Sequence, residues 1–249
     1  MDAKIKYHLE IADNANILSH RLAENCSRGP FLEEDLAGTN VALDLIGFAE
    51  SIYEEAAKLK GDGSCGDDVA YRRSEWEYYN TLLAEQPNTD FAYIMVRQFF
   101  LDNFNYYFLS ALAHSEDKFL SEVAAKSLKE VTYHLRRSSE WMIRFGNGTI
   151  VSRKKAQQAI NDLYPLTGEL FIPSEADKAL RADKISVDLK EVESKWTQKA
   201  KELMFLSNLK LPETTVFQTG GKEGRHSEYL GHMLCEMQYL PSKYPDAKW

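Results

Sequence analysis

Carboxylate and imidazole side chains recur along four apolar helical stretches of the sequence, a combination typical of carboxylate-bridged metal sites. The candidates are one aspartate in each of the first three stretches and a glutamate and a histidine in the last: Asp13, Asp44, Asp102, Glu130 and His134. In di-iron four-helix bundles, two helices each supply a Glu, and the other two each supply a Glu-x-x-His pair. Oxygen chemistry at a metal centre is therefore one hypothesis to weigh.

The Glu-x-x-His spacing is broken in both stretches that should carry it. The second stretch reads Asp44-Leu-Ile-Gly47, so a glycine stands where the histidine is required. In the last stretch Glu130 is followed by Tyr133 at that place, and the histidine comes one residue later as His134. A pair at i, i+4 still shares one helical face, so one half-site stays open.

Three interpretations of these polar side chains remain. They form a di-iron site with an atypical ligand set, or they lie on a solvated helix face. In the third interpretation, which we adopt, Asp44, Asp102 and Glu130 belong to a polar network in the core. Buried charges require hydrogen-bonding partners, here Asn, Tyr, His or Arg. The sequence then predicts neither a catalytic residue nor a metal ligand in this chain.

A glycine-rich basic loop precedes the last predicted helix, at Thr219–His226. Its cations Lys222 and Arg225, next to a helix N-terminus, could hold a phosphate or a coenzyme A tail. The loop is not a Walker motif, because the Gly-Lys-Ser/Thr ending is missing. The alternative is a flexible loop before a capped helix.

Helical periodicity runs through most of the chain, with apolar residues at i, i+3, i+4 and i+7. The predicted helices are Ala3–Cys26, Leu32–Leu59, Asp68–Ala84, Thr89–His114, Lys118–Phe145, Ser152–Tyr164, Ser174–Ala182, Asp188–Ser207 and Ser227–Leu240. Ser174 with Asp177 predicts an N-cap, and Ser152 is a second capping candidate. No linker is evident, so we predict one all-α domain over residues 1–249.

The second and fourth predicted helices are apolar almost all round. The second leaves only a narrow stripe of small or polar residues: Ala37, Asn40, Asp44, Gly47 and Ser51. Helices of this kind are buried among several neighbours. We therefore expect a helical bundle, or a bundle whose outer face is covered by a partner protein.

Composition excludes several classes of protein. The 249 residues include 30 basic and 38 acidic side chains, giving a net charge of −8, and 44% are hydrophobic. The apolar content rules out a disordered chain, and the negative charge argues against general binding to nucleic acid or anionic membrane. The 3 cysteines form no CxxC pair, and the N-terminal residues lack the apolar region of a signal peptide. We expect a cytoplasmic protein.

Several sequence runs resemble a known family. They are Asn40–Gly47, Leu82–Asn88, Asp90–Ala92, Arg97–Phe100, Lys129–Arg136, Gly146–Thr149, Gln157–Asn161, Thr219–Gly224 and Met233–Leu240. In this order, from the first helix to the last, they are similar to the C subunits of ring-1,2-phenylacetyl-CoA epoxidases. These are bacterial multicomponent monooxygenases of phenylacetate degradation.

The resemblance implies a ferritin-like four-helix bundle with additional helices. It also implies that the chain is the structural, non-catalytic partner of a homologous A subunit, which carries the di-iron centre, activates O₂ and epoxidises the ring. Electrons from NADPH come through a reductase subunit with flavin and an iron–sulfur cluster, and this chain binds no cofactor itself. We place Lys222, Arg225 and His226 at the edge facing a partner or coenzyme A. Two alternatives are a free-standing ferritin-like di-iron oxidoreductase and an unrelated helical scaffold or storage oligomer.

Overall fold

The computed structural model describes residues 2–214, 216–245 and 247. Its α-helices are α1 (Ala3–Ala23), α2 (Leu32–Lys60), α3 (Gly66–Tyr71), α4 (Phe91–Leu112), α5 (Lys118–Asn147), α6 (Ile150–Leu163), α7 (Glu175–Leu180), α8 (Leu189–Leu206) and α9 (Glu228–Lys243). Short 3₁₀ helices lie at Glu75–Glu77, Tyr164–Leu166, Gly168–Phe171 and Gly221–Glu223. No strand occurs among the described residues, and the predicted all-α class is confirmed.

Two helical hairpins form the central bundle. Helices α1 and α2 pack against each other, and α4 packs against α5. Each pair is joined by a short connection, which makes the paired helices antiparallel. The longer segment 61–90 connects the hairpins, and α2 lies beside α5. Two antiparallel hairpins joined by one long crossover give the ferritin-like arrangement that the sequence predicted.

Local sequence explains where the bundle helices begin and end. The carboxylates of Asp2, Asp90 and Asp117 cap α1, α4 and α5 by accepting hydrogen bonds from backbone amides of the first turn. Such caps satisfy amides that have no partner inside the helix. Helix α2 ends at Gly61, whose φ of 64° is the left-handed conformation that glycine adopts without strain.

Helix α4 is the most buried helix of the bundle, with apolar side chains on every side. Helices α6 and α8 cover its outer face, while α7 packs on α1 and α9 on α3. Trp196 of α8 fixes this outer layer, because its indole Nε1 donates to the Phe100 carbonyl at 3.0 Å. Asn103 of α4 donates in return to the Trp196 carbonyl at 3.0 Å. The outer helices thus explain why no residue of α4 is largely exposed to solvent.

The predicted helix Asp68–Ala84 is wrong. Only α3 and the 3₁₀ turn Glu75–Glu77 are helical there, and residues 78–80 follow without regular structure. Their backbone groups find partners elsewhere in the fold: the Asp13 carboxylate accepts from the Tyr79 amide at 2.8 Å. Tertiary partners of this kind replace the hydrogen bonds that a helix would supply, so apolar periodicity alone misassigned the segment.

The two predicted N-caps have different outcomes. Ser174 caps α7, and its hydroxyl accepts from the Asp177 amide at 3.1 Å, as predicted. The prediction of Ser152 as a cap is wrong, because Thr149 caps α6 and accepts from the Ser152 amide at 3.0 Å. In the part of the chain that the structure describes, no helix has the length and apolar character needed to cross a membrane.

Candidate functional site

Four of the five predicted site residues lie together in the bundle. Asp44 of α2 and His134 of α5 form a direct contact, in which the imidazole Nε2 donates to the aspartate Oδ2 at 2.9 Å. The His134 side chain is 1% exposed and the Asp44 side chain 35%, so the pair lies at the edge of the core. Asp102 of α4 is buried beside His134, and its Oδ1 accepts from Gln98 at 2.6 Å.

Burial shapes the electrostatics of this group. It raises the pKa of Asp102 to about 6, although the nearby His134 opposes the increase. Burial and, to a smaller extent, the negative charge of Asp44 also raise the pKa of Glu130. Desolvation disfavours the charged carboxylate in both cases. The group is a set of three carboxylates around one histidine, and burial shifts two of them, Asp102 and Glu130, toward the neutral form.

Asp13 lies apart from the other four residues. Its carboxylate accepts hydrogen bonds from Tyr53 Oη at 2.6 Å, from Arg73 Nη1 at 3.0 Å and from the Tyr79 amide at 2.8 Å. The Asp13 side chain is fully buried and forms an ion pair with Arg73. Its oxygens are therefore engaged with donors of the same chain and do not face the Asp44–His134 pair.

The arrangement does not fit a di-iron centre. His134 uses one ring nitrogen on Asp44, Asp13 is paired with Arg73, and α2 has Gly47 where a histidine ligand would be needed. Among the described residues, no group of three or more His, Cys, Asp and Glu side chains is arranged to hold a metal ion. Carboxylate-bridged iron requires such a convergent set. The geometry shows two hydrogen-bonded pairs in this group, Asp44–His134 and Gln98–Asp102.

A narrow cleft of about 60 Å³ runs between the four bundle helices. Apolar side chains line most of it. Asp44 of α2 and Glu130 and His134 of α5 contribute polar groups, and the other polar residues include Glu10, Asp177 and Lys222. Sequence reasoning did not select Glu10 or Asp177. The only available signal was that Glu10 lies between the apolar residues Leu9 and Ile11, which is too weak to identify a buried acid.

Glu10 is the most strongly perturbed acid of this cleft. Burial raises its pKa to about 7, and the negative charge of Asp177 adds to the increase. One carboxylate oxygen accepts from the Ser174 hydroxyl at 2.9 Å, and Lys222 and Lys6 partly offset the cost of its charge. Glu10 is therefore close to half-protonated near neutral pH.

The predicted loop residues have different surroundings. Lys222 Nζ donates to the Ile172 carbonyl at 2.9 Å, which holds this side chain against its own chain. Arg225 pairs with Glu223 and keeps 65% of its side chain exposed. The His226 side chain is fully buried. Of the three cations, Arg225 is thus the one whose head group is most open to solvent.

His226 is a structural cation. Its Nδ1 contacts Glu85 Oε2 at 2.8 Å and its Nε2 contacts the Tyr78 carbonyl at 2.8 Å. Both neighbours are acceptors, so both ring nitrogens carry hydrogen and the imidazolium form is favoured. Although burial lowers the pKa of His226, the hydrogen bond and charge of Glu85 raise it more, and the net change is upward.

Two buried glutamates anchor the loop to the rest of the chain. Glu85 also accepts from the Ser227 amide at 2.7 Å, and Glu169 accepts from the amides of Gly220 and Leu82 at 2.7 and 2.8 Å. The segment before α4 and the segment before α9 are thereby fixed to each other. These hydrogen bonds tie the basic glycine loop to the core of the fold.

Comparison with known proteins identifies the family. Residues 1–249 match the family described as "Phenylacetic acid catabolic protein". The chain is 42% identical over 249 residues to the C subunit of 1,2-phenylacetyl-CoA epoxidase from Escherichia coli (strain K12), and the alignment covers 100% of both chains. This chain therefore belongs to the phenylacetic acid catabolic protein family.

Proposed function

We propose that this member of the family is a structural, non-catalytic component of a phenylacetyl-CoA epoxidase complex. The full-length similarity to a protein named as the C subunit of that epoxidase supports the assignment to the complex. The observation that carries the non-catalytic role is the pairing inside the bundle. His134 is bound to Asp44 and Asp13 to Arg73, so residues at metal-ligand positions stabilise the fold.

In this proposal the chemistry takes place on a homologous A-type subunit. That partner carries the di-iron centre, activates O₂ and epoxidises the CoA-linked aromatic ring, while a reductase with flavin and an iron–sulfur cluster delivers electrons from NADPH. The present chain is a single domain over residues 1–249 in the cytoplasm, without a cofactor of its own. It covers the A-type subunit and braces its ligand helices, which must be held closely in place.

One observation favours a second candidate function. Asp44, Glu130 and His134 line the same cleft, as a half-site for a metal would. The alternative is a free-standing ferritin-like di-iron oxidoreductase. Anaerobic Fe(II) loading of the isolated chain decides between the two: two tightly bound irons per chain would favour the alternative, and loss of all iron on desalting is expected for a structural subunit.

Reconstitution tests the proposed function. Turnover of phenylacetyl-CoA is measured with the A-type subunit, the remaining complex components and NADPH, with and without this chain. We expect turnover to require the chain, and the Asp44→Asn and Glu130→Gln variants to support it within about twofold of wild type. A drop of more than about a hundredfold, near the loss of a group essential to the transition state, would show that these carboxylates take part in catalysis.

We also propose that the loop Thr219–His226 contacts a partner subunit or coenzyme A. Arg225 and Lys222 lie on the same loop, but only Arg225 has a largely exposed side chain. We expect Arg225→Ala to raise the KM for phenylacetyl-CoA or weaken assembly by about three- to tenfold, as for one charge-assisted contact. Lys222→Ala should act mainly on stability. If the double variant left KM and assembly unchanged, this role of the loop would be excluded.

A further inference from the structure

Helix α2 carries a helical seam that faces away from its own bundle. The seam consists of Leu36, Asn40, Leu43 and Gly47, all of which are exposed. Leu36 is 54% exposed and Leu43 is 62% exposed, although both are large apolar side chains. Their spacing of four, three and four residues is the spacing by which one helix packs along another. The seam extends about 16 Å along the helix.

Two glycines of α2 are not explained by the packing of the chain itself. Beyond the adjacent residues and the backbone of its own helix, a Cβ atom built on Gly38 or Gly47 would meet no described atom within 4 Å, and neither residue has a positive φ. By contrast, a Cβ on Gly146 would lie 1.6 Å from the Ser207 carbonyl oxygen. Glycine lowers helix stability relative to alanine. At Gly47, within the exposed seam, it leaves room for close approach by a backbone from outside the chain.

We infer that the seam Leu36–Gly47 is the surface of α2 on which a helix of the A-type subunit packs. This inference rests on the proposed function and assigns the contact to one face of one helix. The spacing fits a helix as partner, and the glycine permits a short interaxial distance. Leu36 and Leu43 supply apolar area, while Asn40 places one polar group in the seam that fixes the register.

Charges beside the seam argue against a second copy of this chain as the occupant. Glu33 and Glu50 are both exposed, Glu33 three residues before the first seam residue and Glu50 three residues after the last. Helix α2 contains no Lys or Arg before Lys58. Two copies of α2 packed antiparallel about the middle of the seam would place Glu33 opposite Glu50. A parallel arrangement would place each glutamate opposite itself. Like charges in these positions are destabilising, so the fitting helix carries Lys or Arg beside its apolar seam.

Co-purification with an affinity-tagged A-type subunit tests the inference. The variants are Gly47→Leu, which fills the close approach, and Leu43→Asp, which charges the seam. Ile150→Asp is the matched control, because Ile150 is a 74% exposed apolar residue of α6 outside the seam. We expect both seam variants to lower the recovered amount of this chain at least tenfold and the control to leave it within twofold.

A stability measurement separates lost binding from failed folding. Because a Cβ at residue 47 has free space within the chain, Gly47→Ala should raise the Tm of the chain by about 2 °C while weakening its retention by the A-type subunit. Equal retention of wild type and both seam variants would overturn the inference and leave the proposed function intact. Failure of the wild-type chain itself to bind would count against the proposed function. Loss of self-association in the seam variants, with unchanged A-type binding, would assign the seam to a second copy.

Discussion

At the scale of single residues, two acids three positions apart on α1 differ in how the fold treats their charge. Asp13 is fully buried but has an arginine partner and hydrogen-bond donors on both oxygens. Glu10 is buried with its charge only partly compensated, and its pKa is raised to about 7. A paired buried charge stabilises the native state only while its partner is present, whereas an uncompensated one becomes less favourable as it ionises.

Asp13→Asn should destabilise the chain by about 3 kcal/mol, because it leaves Arg73 buried without its counter-charge. Urea unfolding of the chain at neutral pH measures the effect. Glu122→Gln is the control, since its pair with Lys118 is largely exposed and should change stability by less than about 0.5 kcal/mol. Unchanged stability in Asp13→Asn, together with loss of bound iron, would mean that Asp13 is a metal ligand.

Glu10→Gln should stabilise the chain at pH 8 and have little effect below pH 4. The pKa of Glu10 is raised on folding from 4.5 to about 7, so the folded state binds more protons between these values. The stabilising contribution of protonated Glu10 is present below its pKa in the unfolded state. It is lost as the pH rises through its pKa in the folded state. The gain in Glu10→Gln is therefore at most roughly 3 kcal/mol above pH 7, visible in Tm scans at several pH values. An equal change in Tm at pH 4 and pH 8 would contradict this account.

At the scale of elements, the sequence predicted the four bundle helices but not the segment between the hairpins. The bundle helices have long apolar stripes, and α1, α4 and α5 also have capping aspartates, so each helix can be predicted from its own residues. The segment before α4 is held by Asn14 of α1 and by Glu169, which comes 87 residues after Leu82 in the chain. Apolar periodicity carries no information on partners at such separation, and it therefore wrongly predicts a helix at Asp68–Ala84.

The same distinction explains the site prediction. Asp44, Asp102, Glu130 and His134 converge because each lies on the inward side of a long helix, which spacing alone can indicate. Helical spacing also groups Asp13 with them, because Asp13 lies on a buried face of α1. Its partner Arg73 belongs to the irregular connection, 60 residues away, and could not be identified from helical phase.

Glu169→Ala should loosen two connections together while leaving the bundle intact. Both carboxylate oxygens accept backbone amides, one from the segment before α9 and one from the segment before α4. Hydrogen exchange followed by mass spectrometry should show at least tenfold faster exchange in residues 217–224 and 79–84, consistent with losing buried hydrogen bonds of about 1–3 kcal/mol. Amides of α5 should be unaffected.

The control variant is Glu202→Gln, whose side chain is exposed and pairs with Lys199 on α8. It should leave exchange in both connections unchanged. If Glu169→Ala altered only one of the two connections, the view that this glutamate joins them would be wrong.

At the scale of the whole molecule, many large apolar side chains lie outside the core and are exposed to solvent. Besides the seam on α2, exposed apolar residues include Phe205 at 84%, Trp76 at 70% and Leu32 at 68%. Extended exposed apolar surface marks protein–protein contacts or a liability to aggregate. The 44% hydrophobic content of the sequence thus serves more than the interior.

The chain expressed alone should therefore self-associate or be poorly soluble, and co-expression with its A-type partner should restore solubility. Obligate interfaces bury roughly 2,000–5,000 Å², enough to cover such surface. Sedimentation velocity of both preparations measures the outcome. A well-behaved monomer at micromolar concentration, unchanged by the partner, would contradict the expectation.

Metal analysis of the separated subunits of the native complex tests the central claim most directly. The complex is isolated through a tag on this chain, its subunits are resolved under conditions that retain iron, and iron is quantified in each. The account predicts that the A-type subunit is captured with this chain and that iron is found with the A-type subunit. Two irons per copy of the present chain, or capture of no A-type subunit, would contradict it.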